Sequence, residues 1–191
     1  MSYQDTSLWK RTLGKDDKNV EPLRESFLRG REHAKSLLKK IREDFENLTM
    51  YDITHVDSLW NVADVIIGDE YPINPLEGYV LGVAFLIHDA ALSYEAVGGK
   101  DALRATIDWN DFHSNEIDEK ECDFKAIRAI HAEKAASVLE KIFSPLDETS
   151  SEYIGHYGEK IGQIAASHNW DIDRVAKEIP IQINPMSGMP R

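Results

Sequence analysis

His88 and Asp89 close a run that is otherwise almost wholly apolar, Val83-Ala84-Phe85-Leu86-Ile87-His88-Asp89-Ala90-Ala91. Burying a carboxylate beside an imidazole in such a setting costs several kcal/mol, roughly, unless a cation or hydrogen bonds compensate it. A divalent transition metal (Mn, Fe, Ni, Zn or Co) provides that compensation directly, since neutral imidazole and carboxylate are both good ligands for it. Adjacent helical residues diverge by about 100°. Two such neighbours still reach one cluster if Asp89 bridges two ions with its two oxygens. For a lone His-Asp pair, a capping Asp and a satisfied core His are the ordinary explanation. Three further histidines shift that balance. His55 stands at a helix start in Tyr51-Asp52-Ile53-Thr54-His55-Val56-Asp57, His131 lies in Ile127-Arg128-Ala129-Ile130-His131-Ala132-Glu133-Lys134, and His168 closes a helix in Ile164-Ala165-Ala166-Ser167-His168-Asn169-Trp170-Asp171. Taken singly each is an unremarkable structural histidine. Four in this order, each at a helix end or on the border of an apolar face, are much less easily explained that way.

The elements that must aim them are helices. Apolar residues at three- and four-residue spacing from Leu23 through Phe27, Ala34, Leu38 and Ile41 to Leu48 predict a long helix from Glu21. A second follows the Asp52-Ile53-Thr54 turn, burying Val56, Leu59, Trp60, Ala63 and Ile67. Asn74-Pro75 starts a third, because Asn caps well and Pro suits the first helical position. That helix is apolar nearly all round from Val80 to Ile87, which places it at the centre of the domain. Residues 100–109 form a short helix after the Gly98-Gly99 break. The acidic segment 108–123 reads as a solvated loop or lid. Residues 124–143 and 150–167 form two more amphipathic helices, and Asp171 caps a last short one over residues 173–179. Strand-like alternation is confined to residues 181–183. The expectation is an all-α bundle of six or seven helices over residues 21–179, preceded by a flexible arm over 1–20 with Leu8, Trp9 and Leu13 as docking points. An extended tail follows over 180–191.

The chain has 191 residues, of which 22 are basic and 34 acidic, for a net charge of −12. Such a balance disfavours non-specific grip on long nucleic acid or on an anionic membrane. No apolar stretch approaches the ~20 residues of a membrane span, and the start does not read as a signal peptide. A single cysteine, Cys122, leaves no intrachain disulfide, which fits a cytoplasmic setting. Cys122 sits among acids, a poor setting for a nucleophile. There is no phosphate-cradling Gly-Lys-Ser/Thr loop, no dinucleotide glycine pattern, no His-Glu-x-x-His pair and no nucleophile elbow.

The order His, His-Asp, His, His resembles the HD-domain superfamily of metal-dependent phosphohydrolases. Residues 45–55 resemble the first-ligand entry of the branch that holds CRISPR-associated HD nucleases and HD modules joined to chaperone-type ATPases. Residues 81–91 resemble the central motif, and residues 128–137 and 161–168 the two later ligand helices. The resemblance implies that His55, His88 and Asp89 hold one divalent ion, with Asp89 bridging to a second held by His131 and His168. A metal-activated water would then attack phosphorus. Arg128 and Lys134, three residues either side of His131, are candidate phosphate clamps on nearly the same helical face.

This sequence departs from the family pattern at three places. The final Asp ligand has no obvious counterpart: Asp171 reads as a helix cap and Asp173 as a first-turn acid. That reading raises the prospect of a fragment. Ala91 and Leu92 stand where many members have Gly and then Lys or Met, and Tyr51 stands where some have a second His. Two functions follow as expectations. The first is hydrolysis of a phosphomonoester or phosphodiester, on a small phosphorylated substrate or a nucleic-acid end. The alternative is a sensor or regulatory module that serves a partner such as a C-terminal ATPase domain. His33, His113 and His156 are expected to lie outside the site.

Overall fold

The computed structural model describes residues 2–46, 51–114, 117–143 and 147–179, and every regular element among them is helical. In chain order these are α1 (Ser7–Arg11), α2 (Glu21–Asp44), α3 (Ile53–Ile67), α4 (Pro75–Ile87), α5 (Lys100–Arg104), α6 (Ile107–Phe112), α7 (Glu119–Phe143), α8 (Glu148–Ala166) and α9 (Ile172–Glu178), with single 3-10 turns at Tyr3–Asp5 and Ser167–Asn169. The all-α expectation holds, with more helices than periodicity suggested, because segments of five to seven residues are too short to display a period. The strand-like residues 181–183, the tail from Pro180, Leu48 and Glu116 lie outside the described residues.

Helix α4 is the axis of the bundle and packs against α2, α3, α7 and α8. Its start is fixed by a reciprocal cap: the Asn74 side chain accepts from Glu77 N, and the Glu77 carboxylate accepts from Asn74 N, both at 2.9 Å. Leu76, Tyr79, Val80, Val83, Leu86 and Ile87 are all buried, and within the helix partial exposure is confined to the stripe of Glu77, Leu81 and Phe85. Two glycines let the elements that carry the histidines come close. A Cβ at Gly82 would lie 2.6 Å from Trp60 Cζ2, and one at Gly162 would lie 2.6 Å from Ala136 Cβ. The first sets the approach of α3 to α4, the second that of α8 to α7.

The segment expected as a flexible arm packs onto the bundle. Leu8 and Leu13 are fully buried, and Tyr3 and Trp9 nearly so. Their apolar surface outweighs the polar average of residues 2–20. The Tyr3 and Trp9 rings join Phe27 and Trp60, with centroids 5.0–6.3 Å apart in edge-on and tilted arrangements. The same segment holds α3. Ser7 N and Leu8 N donate to the Asp64 carboxylate at 3.2 and 2.5 Å, and the Arg11 guanidinium reaches the carbonyls of Gly68, Asp69 and Tyr71.

The acidic segment also departs from expectation. Residues 107–112 and 119–123 are helical rather than a solvated loop, and Asp123 is 1% exposed. Its Oδ1 accepts from Arg104 Nε (3.0 Å) and Trp109 Nε1 (2.8 Å), while Oδ2 accepts from Tyr94 OH (2.8 Å) and Arg104 Nη2 (2.9 Å). Burial pushes this carboxyl up, but the Arg104, Tyr94 and Trp109 donors outweigh it and hold Asp123 below the usual carboxylate range. Counting acids along the chain missed this one because its partners lie on other elements. Cys122 is likewise buried, with its thiol directed to the Phe112 carbonyl at 3.4 Å.

Candidate metal centre

Each histidine of the ordered set is placed by a local device. Asp52 caps α3 by accepting from Thr54 N and His55 N at 2.8 and 3.1 Å, which fixes His55 in the first turn. His88 caps the end of α4 and leaves Asp89 in the turn that follows. His131 sits mid-helix on the buried stripe of α7, and His168 lies in the 3-10 turn that extends α8. Three of the rings share one restraint. His88 Nδ1, His131 Nδ1 and His168 Nδ1 meet the carbonyls three residues earlier, of Phe85, Arg128 and Ala165, at 2.8, 2.7 and 2.6 Å. A carbonyl only accepts, so Nδ1 bears the proton and Nε2 of the neutral ring is left with a lone pair.

Those Nε2 atoms converge on Asp89, which is 9% exposed. His88 Nε2 and His55 Nε2 lie 2.8 and 3.8 Å from Asp89 Oδ2. His131 Nε2 and His168 Nε2 lie 3.4 and 3.8 Å from Oδ1. The carboxylate is thus shared, one oxygen to each pair of rings. His131 Nε2 and His168 Nε2 are themselves 3.0 Å apart. In neutral rings this sets two lone pairs face to face beside a carboxylate oxygen. Three electron-pair donors that converge without a proton between them fit a divalent cation. The His55, His88 and Asp89 atoms form a comparable group, within 4.8 Å of one another.

Electrostatics point the same way. Burial pushes the Asp89 carboxyl up, yet the imidazoles of His131, His88 and His168 beside it outweigh that and hold it well below the usual range. Burial pushes His88 down, and its bond and attraction to Asp89 outweigh that and raise it. Burial foremost keeps His168 low. A buried carboxylate ringed by imidazoles favours positive charge beside it.

The other sequence candidates fall elsewhere. Arg128 and Lys134 are exposed one turn before and after His131, with the Arg128 guanidinium 5.7 Å from the Phe124 ring centroid. Asp171 accepts from Arg174 N at 2.8 Å as the cap of α9, and Asp173 is exposed in its first turn. Among the described residues, the ligand groups around Asp89 hold no second aspartate. Ala91 and Leu92 are buried and serve packing, and the Tyr51 ring lies 6.0 Å from that of His55. His33 meets the Ile142 carbonyl at 3.1 Å, tying α2 to α7. His113 stacks on Trp109, and His156 lies against Tyr157.

Beside the cluster, where α3, α4 and α8 meet, is a cavity of about 450 Å³. His55, His88, Asp89 and His168 line it together with Leu59, Ala84, Phe85 and Ile164. Periodicity assigned some of these apolar residues to the core. The overlooked signal was their spacing: Leu59, Phe85 and Ile164 each lie three or four residues from a histidine of the cluster on the same helical face.

The family model HD-CE matches residues 45–188, well over half of the 191-residue chain. No curated protein and no solved structure matches the chain. Among the described residues no helix is long and apolar enough to cross a membrane.

Proposed function

The chain belongs to the HD-CE family, and from that premise we propose that it is a metal-dependent phosphohydrolase that uses two divalent ions on a phosphomonoester or phosphodiester. The observation that carries this reading is the division of Asp89 between two pairs of imidazoles, with every Nδ1 that meets a carbonyl leaving its Nε2 free. His55, His88 and Asp89 Oδ2 would hold one ion, and Asp89 Oδ1, His131 and His168 the other. The chemistry such ions would supply, when bound, is polarisation of a phosphoryl oxygen and acidification of a water for attack at phosphorus near neutral pH. Among the described residues each group has three protein donors, which would leave positions for water and substrate, as a catalytic site requires.

The residues around the ligands have separate duties. The carbonyls of Phe85, Arg128 and Ala165 hold three rings in one tautomer and orientation, which avoids reorganisation when charge builds at phosphorus. Arg128 and Lys134 are exposed on α7 outside the cavity lining, so a clamp role for them would be confined to the outer oxygens of a substrate that extends over that helix. The apolar wall keeps bulk water from one side of the cluster. Hydrolysis adds hydroxide from water to phosphorus, breaks the P–O bond to the alcohol and releases that alcohol with the remaining proton.

Protein stripped by a chelator and reloaded with Mn²⁺ should hydrolyse bis(4-nitrophenyl) phosphate or 4-nitrophenyl phosphate at least about 10²-fold faster than the stripped protein. Retention of Mn²⁺ without turnover of either ester would instead favour a regulatory module that binds metal but does no chemistry.

A further inference from the structure

The cavity beside Asp89 is lined by metal-ligating groups and by hydrocarbon, and among its described lining residues there is no Lys or Arg. We propose that it receives the apolar, uncharged body of a substrate that carries a single phosphoryl group, such as an aryl or other hydrophobic phosphoester, and that it rejects substrates with further negative charge. The proposal rests on the phosphohydrolase reading and names the substrate class for that site.

Three observations carry it. The first is size: about 450 Å³ accommodates a ring or branched chain and lies within the usual range of small-ligand sites. The second is the wall, in which Leu59, Phe85 and Ile164 offer only carbon to an occupant, so that burial of an apolar group is the available gain. The third is charge. Recognition of di- and triphosphates relies on Arg or Lys forks or on a cradle of backbone N–H groups. Here the candidate phosphate clamps, Arg128 and Lys134, stand on α7, whereas the cavity is lined from α3, α4 and α8 and from the turns after α4 and α8. A carboxylate or second phosphate on the bound body would face Asp89 and hydrocarbon within a chain of net charge −12.

The test is calorimetry on the full chain loaded with Mn²⁺, with three phosphonates as probes: methylphosphonate, phenylphosphonate and 4-carboxyphenylphosphonate. Phenylphosphonate is expected to bind about tenfold tighter than the methyl compound, and about tenfold tighter than its carboxylated analogue. Leu59→Lys, which places a cation on the wall while its stem covers the same surface, should reverse the second preference. Equal affinity for the methyl and phenyl probes, or undiminished binding of the carboxylated one, would overturn the proposal. If Leu59→Lys does not fold, as judged by circular dichroism, the three wild-type affinities decide the matter alone. Uptake of Mn²⁺ with no phosphonate binding would overturn the substrate class and leave the metal site standing. Failure to take up Mn²⁺ would overturn both.

Discussion

Asp89→Ala is expected to strip the protein of both ions, lowering Mn²⁺ affinity by at least about 10²-fold and hydrolysis with it. One carboxylate oxygen faces His55 and His88 and the other faces His131 and His168, so a single truncation removes a donor from each lobe and the shared negative charge from both. Asp89→Asn refines the test. Whichever way its amide is turned, one lobe meets an NH₂ group that has no lone pair to give, so at most one ion should remain. The far-UV circular dichroism of both variants should match wild type. Asp89 lies in the turn after α4, and its backbone carbonyl, which Leu92 N meets at 3.0 Å, is retained by both substitutions. Metal content is read by elemental analysis after dialysis. Two ions bound to Asp89→Ala would contradict the bridging role.

Deletion of residues 2–14 is the second large effect. An arm that merely hangs on the domain can be removed without consequence, but Tyr3, Leu8, Trp9 and Leu13 are buried. Each contributes about 1.5–3 kcal/mol on burial, so the set rivals the ~5–15 kcal/mol by which a whole domain is stable. Their removal also uncovers Phe27 and Trp60 and frees the Asp64 carboxylate that holds the segment to α3. Thermal denaturation followed by circular dichroism should show a midpoint lowered by about 15 °C or more, or no cooperative transition. Trp9→Ala, a milder change, should cost about 3–5 kcal/mol. An unchanged midpoint in the deletion would restore the flexible arm. Because α3 carries His55, the deletion should also weaken the Oδ2 lobe before the Oδ1 lobe.

The cluster was legible because its signal is local and chemical. A His-Asp pair at the end of a buried helix is anomalous on composition alone, and three more histidines at helix ends or on the border of an apolar face add to it without any knowledge of packing. The caps at Asp52, Asn74 and Asp171 are equally local, and each accepts the backbone N–H bonds its residue type suggests. What escaped depends on partners far along the chain. Asp123 looks like one acid among many until Arg104, Trp109 and Tyr94 are brought to it. Trp9 reads as a docking point from sequence, but Tyr3 looks like an isolated aromatic in a polar segment until Phe27 and Trp60 are adjacent. The carbonyls that orient His88, His131 and His168 leave no trace in sequence, because every residue carries one. Arg128 and Lys134 were found by spacing from His131, and the structure puts both at the surface of α7 rather than against the cavity.

The central claim is that Asp89 divides its two oxygens between two ions, each with its own pair of imidazoles. The most direct measurement is the number of Mn²⁺ ions held per chain by wild type, His55→Ala and His168→Ala. The account predicts two for wild type and one for each variant, since each substitution removes a donor from one lobe and leaves the other with its two rings and its carboxylate oxygen. Fewer than two ions in wild type, or the same number in all three proteins, would contradict it.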